Sequence, residues 1–125
     1  MHIKQEKNIS IRRGDVVIVN FDPTIGAEIK KIRPALVIQN DIGNTYSNTI
    51  IVTAITSREK GEKRYPTEVF LEKGDAGLED DSVVLLSHIR TIDIQRIIKK
   101  IGKVNSDTMQ SVDTALEISV GLVEV

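Results

Sequence analysis

The sequence of 125 residues contains no cysteine and no tryptophan, and it has only two histidines. The lack of cysteine excludes disulfide bonds, thiolate nucleophiles and cysteine-ligated zinc. His2 and His88 do not belong to an HxxxH pair or to an acidic cluster with metal-ligand spacing. The nearest acidic cluster, Glu79-Asp80-Asp81, is more typical of a solvated turn. We therefore expect a protein with no metal and no cofactor.

Aromatic residues and long apolar stretches are also scarce. Only four residues are Phe or Tyr, so an extended stacking platform for single-stranded nucleic acid is not expected. No apolar run approaches the length of a transmembrane helix, and the first ten residues lack the apolar core of a signal peptide. These absences predict a soluble, cytoplasmic protein. The length fits one domain, predicted over residues 12–125, preceded by a flexible extension over residues 1–11.

The net charge of −1 does not by itself indicate a polyanionic partner, but the charges are unevenly distributed. Residues 1–35 contain seven Lys or Arg against four Asp or Glu, and residues 58–64 contain four against two. Residues 65–125 contain six against eleven. Because the local potential rather than the net charge attracts a polyanion, the first third and the 58–64 loop are candidate binding surfaces. The alternative is a mixed-charge surface with chance clustering.

The hydrophobic pattern predicts a mainly β (α+β) protein. Six short runs have the length and β-branched composition of strands, at residues 16–21, 35–39, 50–55, 67–71, 83–86 and 99–104. Asp93 is positioned to cap a short helical turn, and Asn105 with its neighbours offers an N-cap for a longer helix. Apolar residues then recur at helical spacing, at Met109, Val112, Leu116 and Val120. Several short strands and one terminal amphipathic helix predict a small SH3-like barrel.

Residues 12–56 are the most informative part of the chain. Two strand-like runs are joined by a long loop that ends at Arg33 and Pro34, and a further strand ends at Thr56. A residue before proline is held extended, so the Arg33 side chain starts from a stiff point of the backbone. Its planar guanidinium offers paired donors that match phosphate oxygens. Taken alone, an Arg-Pro at a loop end and a threonine at a strand end are more often structural.

Eight short strings stand in one unbroken order between residues 12 and 122, namely RGDV at 13–16, Gly26-x-Glu28, Arg33-Pro34, IQND at 38–41, TAIT at 53–56, DSVVLL at 81–86, IRTID at 89–93 and VDTALEISVGL at 112–122. In these strings and their order the chain resembles the MazF/PemK/Kid toxin family, which consists of bacterial endoribonucleases paired with an antitoxin. The resemblance implies a MazF/CcdB-like barrel, a homodimer and a cognate antitoxin protein as partner.

The resemblance also implies an mRNA interferase, which cleaves single-stranded RNA at specific sequences without a metal ion. Arg33 and Thr56 stand at the positions of the family's catalytic pair. RNA supplies its own nucleophile, the 2′-hydroxyl next to each phosphate. We therefore expect products with a 2′,3′-cyclic phosphate or 3′-phosphate and a 5′-hydroxyl. Single strands are the expected substrate because the base edges of an RNA duplex are poorly accessible.

The residues predicted to bind RNA are Glu28, Lys30, Lys31, Asn40, Ser57 and His88. Relatives often have two glycines in place of Lys30-Lys31, so this loop carries more charge and less freedom. His88 stands where relatives often have glutamine; it could contact a base or transfer a proton, or it could be a partly buried histidine bonded to the backbone. Glu28 could equally form a surface salt bridge. Arg90 and Asp93 are predicted to form a structural ion pair or cap.

Two other functions are compatible with a small barrel of this kind. One is a non-enzymatic toxin that poisons DNA gyrase, as fold relatives of the CcdB type do. The other is a catalytically idle SH3-like binding module. The intact Arg33 and Thr56 argue against both, because a pure binding protein needs neither residue.

Overall fold

The computed structural model describes residues 9–21 and 32–124. The strands in these ranges are β1 (Asp15–Asn20), β2 (Ile32–Val37), β3 (Thr49–Ser57), β4 (Glu68–Leu71), β5 (Ser82–Asp93) and β6 (Ile97–Lys103). The α-helices are α1 (Asp41–Tyr46) and α2 (Ser106–Ser119), and 3-10 turns cover Asp75–Gly77 and Ile94–Arg96. Of the helices in this part of the chain, none is long and apolar enough to cross a membrane.

The six strands form one antiparallel sheet in the order β4-β5-β3-β2-β1-β6. The sheet curls until β6 contacts the 3-10 turn Asp75–Gly77 that precedes β5. Two glycines permit this contact, because a Cβ on Gly77 would lie 2.2 Å from the carbonyl oxygen of Ile101, and a Cβ on Gly102 would lie 2.4 Å from that of Ala76. The predicted fold, a small barrel-like sheet with a C-terminal helix, is confirmed.

Both faces of the sheet are covered by apolar side chains, because neighbouring residues of β1 and β2 point to opposite sides. One buried cluster contains Val17, Val19 and Ala35, together with Phe21 at the end of β1. The other cluster contains Val16, Leu36 and Ile38, and α2 packs on it through Val112 and Ala115. Continuous burial on both sides explains why these strands read as apolar runs rather than as alternating patterns.

The RGDV string at 13–16 has a structural role. The Arg13 guanidinium donates to the Asp113 carboxylate of α2 at 2.7 Å and to the carbonyl oxygen of Ile38 after β2 at 2.9 Å. The backbone N–H of Arg13 donates to the Asp41 carboxylate at 2.7 Å. The carboxylate of Asp15 accepts from the N–H of Arg12 at 2.8 Å. These bonds tie the start of β1 to β2, α1 and α2, so the string stabilises the fold.

The predicted caps are confirmed. Asn105 accepts a hydrogen bond from the N–H of Thr108 at the start of α2, and Asp93 accepts one from the N–H of Gln95 in the 3-10 turn. The helix α1 was not predicted, because its six residues include Gly43 and have no apolar periodicity. Asn40 starts this helix by accepting from the N–H of Gly43 at 2.8 Å. Strand β5 is much longer than the predicted 83–86.

The N-terminal part of the chain is described only from Ile9. Ile11 is buried in the cluster that contains Val17, and Ile9 packs against that cluster. Residues 1–8 lie outside the described ranges. The division into an extension over residues 1–11 and one domain over residues 12–125 stays a prediction.

Candidate functional site

Arg33 and Thr56 lie on neighbouring strands, each two residues beyond the last pair of the register between β2 and β3. That register pairs Val37 with Val52 and Ala35 with Ala54. Because side chains alternate along a strand, Arg33 and Thr56 belong to the sheet face that carries the two alanines. Both residues are half-buried. The joint role of the two residues in catalysis stays a prediction.

A cavity of about 270 Å³ lies on this face beside Arg33. Val52 and Ala54 of β3 contribute apolar side chains to its lining. Thr56 follows on the same face of β3, two residues beyond Ala54. The remaining residues that line it are Phe21, Arg33, Ser87, His88, Ile89 and Arg90. The described residues of the lining include two guanidinium groups and no carboxylate, so an anionic ligand suits this part of the cavity.

The Nε atom of Arg33 is buried and has no hydrogen-bond partner, and it is the one such side-chain atom in residues 9–21 and 32–124. A buried donor without a partner destabilises the folded protein by roughly 1–3 kcal/mol, so it usually indicates a strained or functional position. A phosphate oxygen at this end of the cavity would supply the missing acceptor. The unsatisfied Nε is the strongest single sign that the cavity has a ligand.

A wide bulge in β5 forms one wall of the cavity. Thr53 pairs with Ile89 and Ile55 pairs with Val84, so Ala54 of β3 faces four residues of β5, at positions 85–88. The Thr53 hydroxyl holds this bulge, since it lies within hydrogen-bond distance of the carbonyl oxygens of residues 85 and 88. The bulge turns Ser87 and His88 outward, where both are exposed.

His88 therefore lines the same cavity as Arg33, as expected for a residue that contacts RNA. The His88 side chain is exposed, which differs from the alternative prediction of a partly buried histidine bonded to the backbone. Its role in binding or proton transfer stays a prediction.

Arg90 and Phe21 are cavity residues that sequence reasoning did not identify as functional. The Arg90 guanidinium lies over the Phe21 ring, 5.0 Å from its centroid. The predicted ion pair of Arg90 with Asp93 does not form; Asp93 instead caps the following 3-10 turn. No sequence signal could have found this pair, because the bulge interrupts the alternation that normally shows which residues share a face.

Of the other predicted RNA-binding residues, the two that the structure describes are not in the lining of this cavity. Asn40 is exposed and caps α1 outside the lining of the cavity. Ser57 follows Thr56 and so faces the opposite side of the sheet, where it lines a second cavity of about 380 Å³ with Pro34 and Lys99. Glu28, Lys30 and Lys31 lie outside the described residues. The roles of these five residues stay predictions.

The basic 58–64 loop is largely neutralised by its surroundings. Arg58 forms a salt bridge to Glu68 at 2.6 Å, and Lys60 forms one to Glu72 at 2.8 Å. Arg64 lies 5.2 Å from the centroid of the Phe70 ring. This loop therefore offers less free positive charge to a polyanion than its sequence indicates.

Glu68 is the most buried carboxylate of this region, with 7% of its side chain exposed. Burial by itself would raise the pKa of Glu68, but hydrogen bonds from Arg58 and from the N–H of Tyr65 outweigh it, and the pKa is lowered. The stability that this interaction contributes is therefore present above the ordinary glutamate pKa of the unfolded chain. It is lost as the pH falls through the lower pKa of the folded state.

We expect Glu68→Gln to lower the free energy of unfolding by about 2 kcal/mol at pH 7, because a charged hydrogen-bonding partner of Arg58 is lost. The difference from the parent protein shrinks as the pH falls through the lowered pKa of Glu68, because the parent then loses the same charge. Urea unfolding at pH 7 and at an acid pH below that pKa measures the difference. Glu72→Gln, in the exposed pair with Lys60, is the matched control and should have little effect. An equal loss at both pH values would contradict the assignment to charge.

Comparison with known proteins agrees with this arrangement. A family model described as PemK-like, MazF-like toxin of type II toxin–antitoxin system matches residues 12–120. The chain is 46% identical over 114 residues to the Bacillus subtilis protein named Endoribonuclease EndoA, covering 91% of this chain and 97% of that protein. The crystal structure of MazF from Deinococcus radiodurans superposes with a TM-score of 0.73 at 30% identity, covering 91% of this chain and 99% of that one. A MazE–MazF crystal structure from the same organism superposes with a TM-score of 0.69 at 28% identity, covering 91% and 98%.

Proposed function

The chain belongs to the PemK-like, MazF-like family of toxins of type II toxin–antitoxin systems, and from this premise we propose how it cuts RNA: Arg33 and Thr56 act on a phosphate of a single strand, without a metal ion. The protein is an endoribonuclease and the toxin of such a system. The family resemblance of the sequence is thereby confirmed. The gyrase-poison and binding-module alternatives have no support among these relatives.

The proposed reaction uses the 2′-hydroxyl of the RNA as nucleophile. The 2′-oxygen loses its proton and attacks the adjacent phosphorus, while the bond from phosphorus to the 5′-oxygen breaks and that oxygen takes up a proton. The products are a 2′,3′-cyclic phosphate, which water can open to a 3′-phosphate, and a 5′-hydroxyl. The protein must hold the reacting atoms in line and stabilise the charge that builds on the phosphoryl oxygens.

Arg33 is the residue proposed to stabilise that charge. Its buried, unsatisfied Nε supports this role, since that N–H is already removed from water before the substrate arrives. Thr56 lies two residues beyond Ala54 on β3, and its hydroxyl is proposed to donate to another phosphoryl oxygen. The lone buried donor of Arg33 is the observation on which the mechanism depends most.

The cavity beside Arg33 supports the choice of a single-stranded substrate. A space of about 270 Å³ with an apolar floor suits one base that has left its stack, and a duplex does not present such a base. We propose that His88, on the rim of this cavity, contacts that base. Glu28, Lys30 and Lys31 are proposed to bind RNA from the sequence alone. Asn40 and Ser57 would contact the RNA outside this cavity.

The partners follow from the family. RNA is the substrate, and an antitoxin is the protein partner. We propose that the antitoxin places an acidic segment over the cavity that contains Arg33 and Arg90, because the carboxylates of that segment would pair with the two guanidiniums. A homodimer and a cytoplasmic location are likewise proposed.

The test is to incubate the purified protein with a long, unstructured RNA and EDTA, and to map every new 5′ end. We expect cuts at one short recurring sequence, each leaving a 5′-hydroxyl. Loss of the cuts in EDTA, with recovery on adding Mg²⁺, would overturn the metal-independent mechanism. Cuts at unrelated sequences would overturn sequence specificity.

A further inference from the structure

The cavity contains a second guanidinium, that of Arg90, whose place in the fold differs from that of Arg33. Arg33 is on β2 and Arg90 is on β5, and these strands flank β3 on its two sides. Arg90 pairs with Val52 of β3, and Arg33 pairs with Val19 of β1. The two side chains therefore reach the same cavity from strands on the two sides of β3.

Arg90 is held in a defined position by Phe21. The central carbon of its guanidinium lies over the ring, 5.0 Å from the centroid, which is the range of a cation–π contact. Phe21 itself is buried and belongs to the cluster around Val17, so the ring is a fixed support. A cation that is already positioned loses less conformational entropy when it binds a ligand.

The positive charge of Arg90 is not balanced nearby. Within residues 9–21 and 32–124, no carboxylate forms a salt bridge with Arg90 or with Arg33. Among the described residues, this cavity therefore has two guanidiniums without a carboxylate partner, together with apolar side chains. Successive phosphates of an RNA strand are joined through the ribose and each carries a negative charge, so two guanidiniums in one cavity suit two neighbouring phosphates.

We propose that Arg90, stacked on Phe21, binds a second phosphate of the RNA, adjacent to the phosphate that is cut at Arg33. This inference rests on the proposed function of the Arg33 site, and it assigns the second phosphate to the side of the cavity that β5 forms. Arg90 contributes to binding and positioning, because its phosphate does not change during the reaction.

The test measures the affinity of a fluorescent single-stranded oligonucleotide with one 2′-deoxyribose at the cut site, between 50 and 300 mM salt. Each phosphate contact of a single strand contributes about 0.7 to the slope of log Kd against log salt concentration. We expect Arg90→Gln to reduce this slope by about 0.7 and to raise Kd about tenfold. The cleavage rate at saturating RNA should fall much less than it does for Arg33→Ala.

Lys103→Gln is the matched control, since it removes one exposed positive charge at the far end of β6, opposite Asp15. Its slope should remain that of the parent. Arg90→Lys keeps the positive charge but lacks the planar, paired N–H donors of a guanidinium. The slope should therefore be unchanged while Kd rises about threefold. If Arg90→Gln does not fold, the Kd of Arg90→Lys is compared with that of the parent protein instead. An unchanged Kd for Arg90→Lys would overturn the proposal.

Three results would contradict the inference. An unchanged slope for Arg90→Gln would mean that Arg90 only covers Phe21. An equal change for Lys103→Gln would mean a general charge effect. A loss of cleavage rate as large as that of Arg33→Ala would place Arg90 at the cut phosphate itself. Failure of the proposed function would be seen separately, as a parent protein that does not cut RNA. The binding measurement does not depend on cleavage, so the two outcomes can be told apart.

Discussion

Arg33→Ala is expected to lower the rate of RNA cleavage at saturating substrate several hundredfold or more. Loss of one pre-oriented donor to the transition-state charge has an effect on the order of 10² to 10³ in rate. Because the Nε of Arg33 is buried without a partner, its removal also relieves a desolvation cost in the free protein. The variant should therefore be at least as stable as the parent while being almost inactive.

Single-turnover cleavage of an oligonucleotide with one cut site measures the rate, and urea unfolding measures the stability. Arg33→Lys is the control for charge, and it should recover only part of the activity because it lacks the paired donors of the guanidinium. Thr56→Val, which removes a hydroxyl and nearly keeps the shape, should cause a smaller loss. Arg33→Ala with unchanged cleavage would exclude Arg33 from the chemistry, and a large loss of stability would mean that its role is structural.

A single 2′-deoxyribose on the 5′ side of the cut is expected to abolish cleavage, while binding changes only a few-fold. The 2′-oxygen is the proposed nucleophile, so the substrate without it has no route to the cyclic phosphate, whatever the protein contributes. The remaining phosphates and bases still contact the protein, and they account for most of the affinity. Gel analysis of the cleavage products and fluorescence anisotropy measure the two quantities on the same oligonucleotide.

The control is the same oligonucleotide with the deoxyribose moved to a position distant from the cut, which should be cleaved at the normal rate. Cleavage of the first substrate at its usual position would show that water or a protein group is the nucleophile. A large loss of affinity would show instead that the 2′-hydroxyl is mainly a binding group. The products of the unmodified RNA should carry the 2′,3′-cyclic phosphate.

The parts of the fold that depend on local sequence were predicted well. Asn105 and Asp93 cap helical turns because a cap acts on residues two or three positions away. The strands around Val17, Leu36 and Ile50 are apolar on both faces, and such runs are visible without knowledge of their neighbours. The short helix α1 was missed, because it depends on the cap by Asn40 and on a buried amide at Asn44 that bonds to the carbonyl oxygen of Gln39.

Strand β5 shows where prediction from the sequence ends. Its first half was predicted from a continuous apolar run, but Ser87 and His88 interrupt that run and resemble the start of a loop. In the structure they belong to a bulge whose width is set by the pairing of β5 with β3 and by the Thr53 hydroxyl. A bulge depends on a strand that is distant in the sequence, so local patterns do not reveal it.

The sequence alone predicted the strand content, the terminal helix and the candidate pair Arg33 and Thr56, since these depend on local pattern and on strings shared with a family. Only the tertiary structure decided what surrounds Arg33. The pairing of β2 and of β5 with β3 brings Arg33, His88 and Arg90 to one cavity. Ser57, one residue from Thr56, falls on the other face for the same reason. Which side chains share a site depends on pairing between strands, and pairing is a property of the folded sheet.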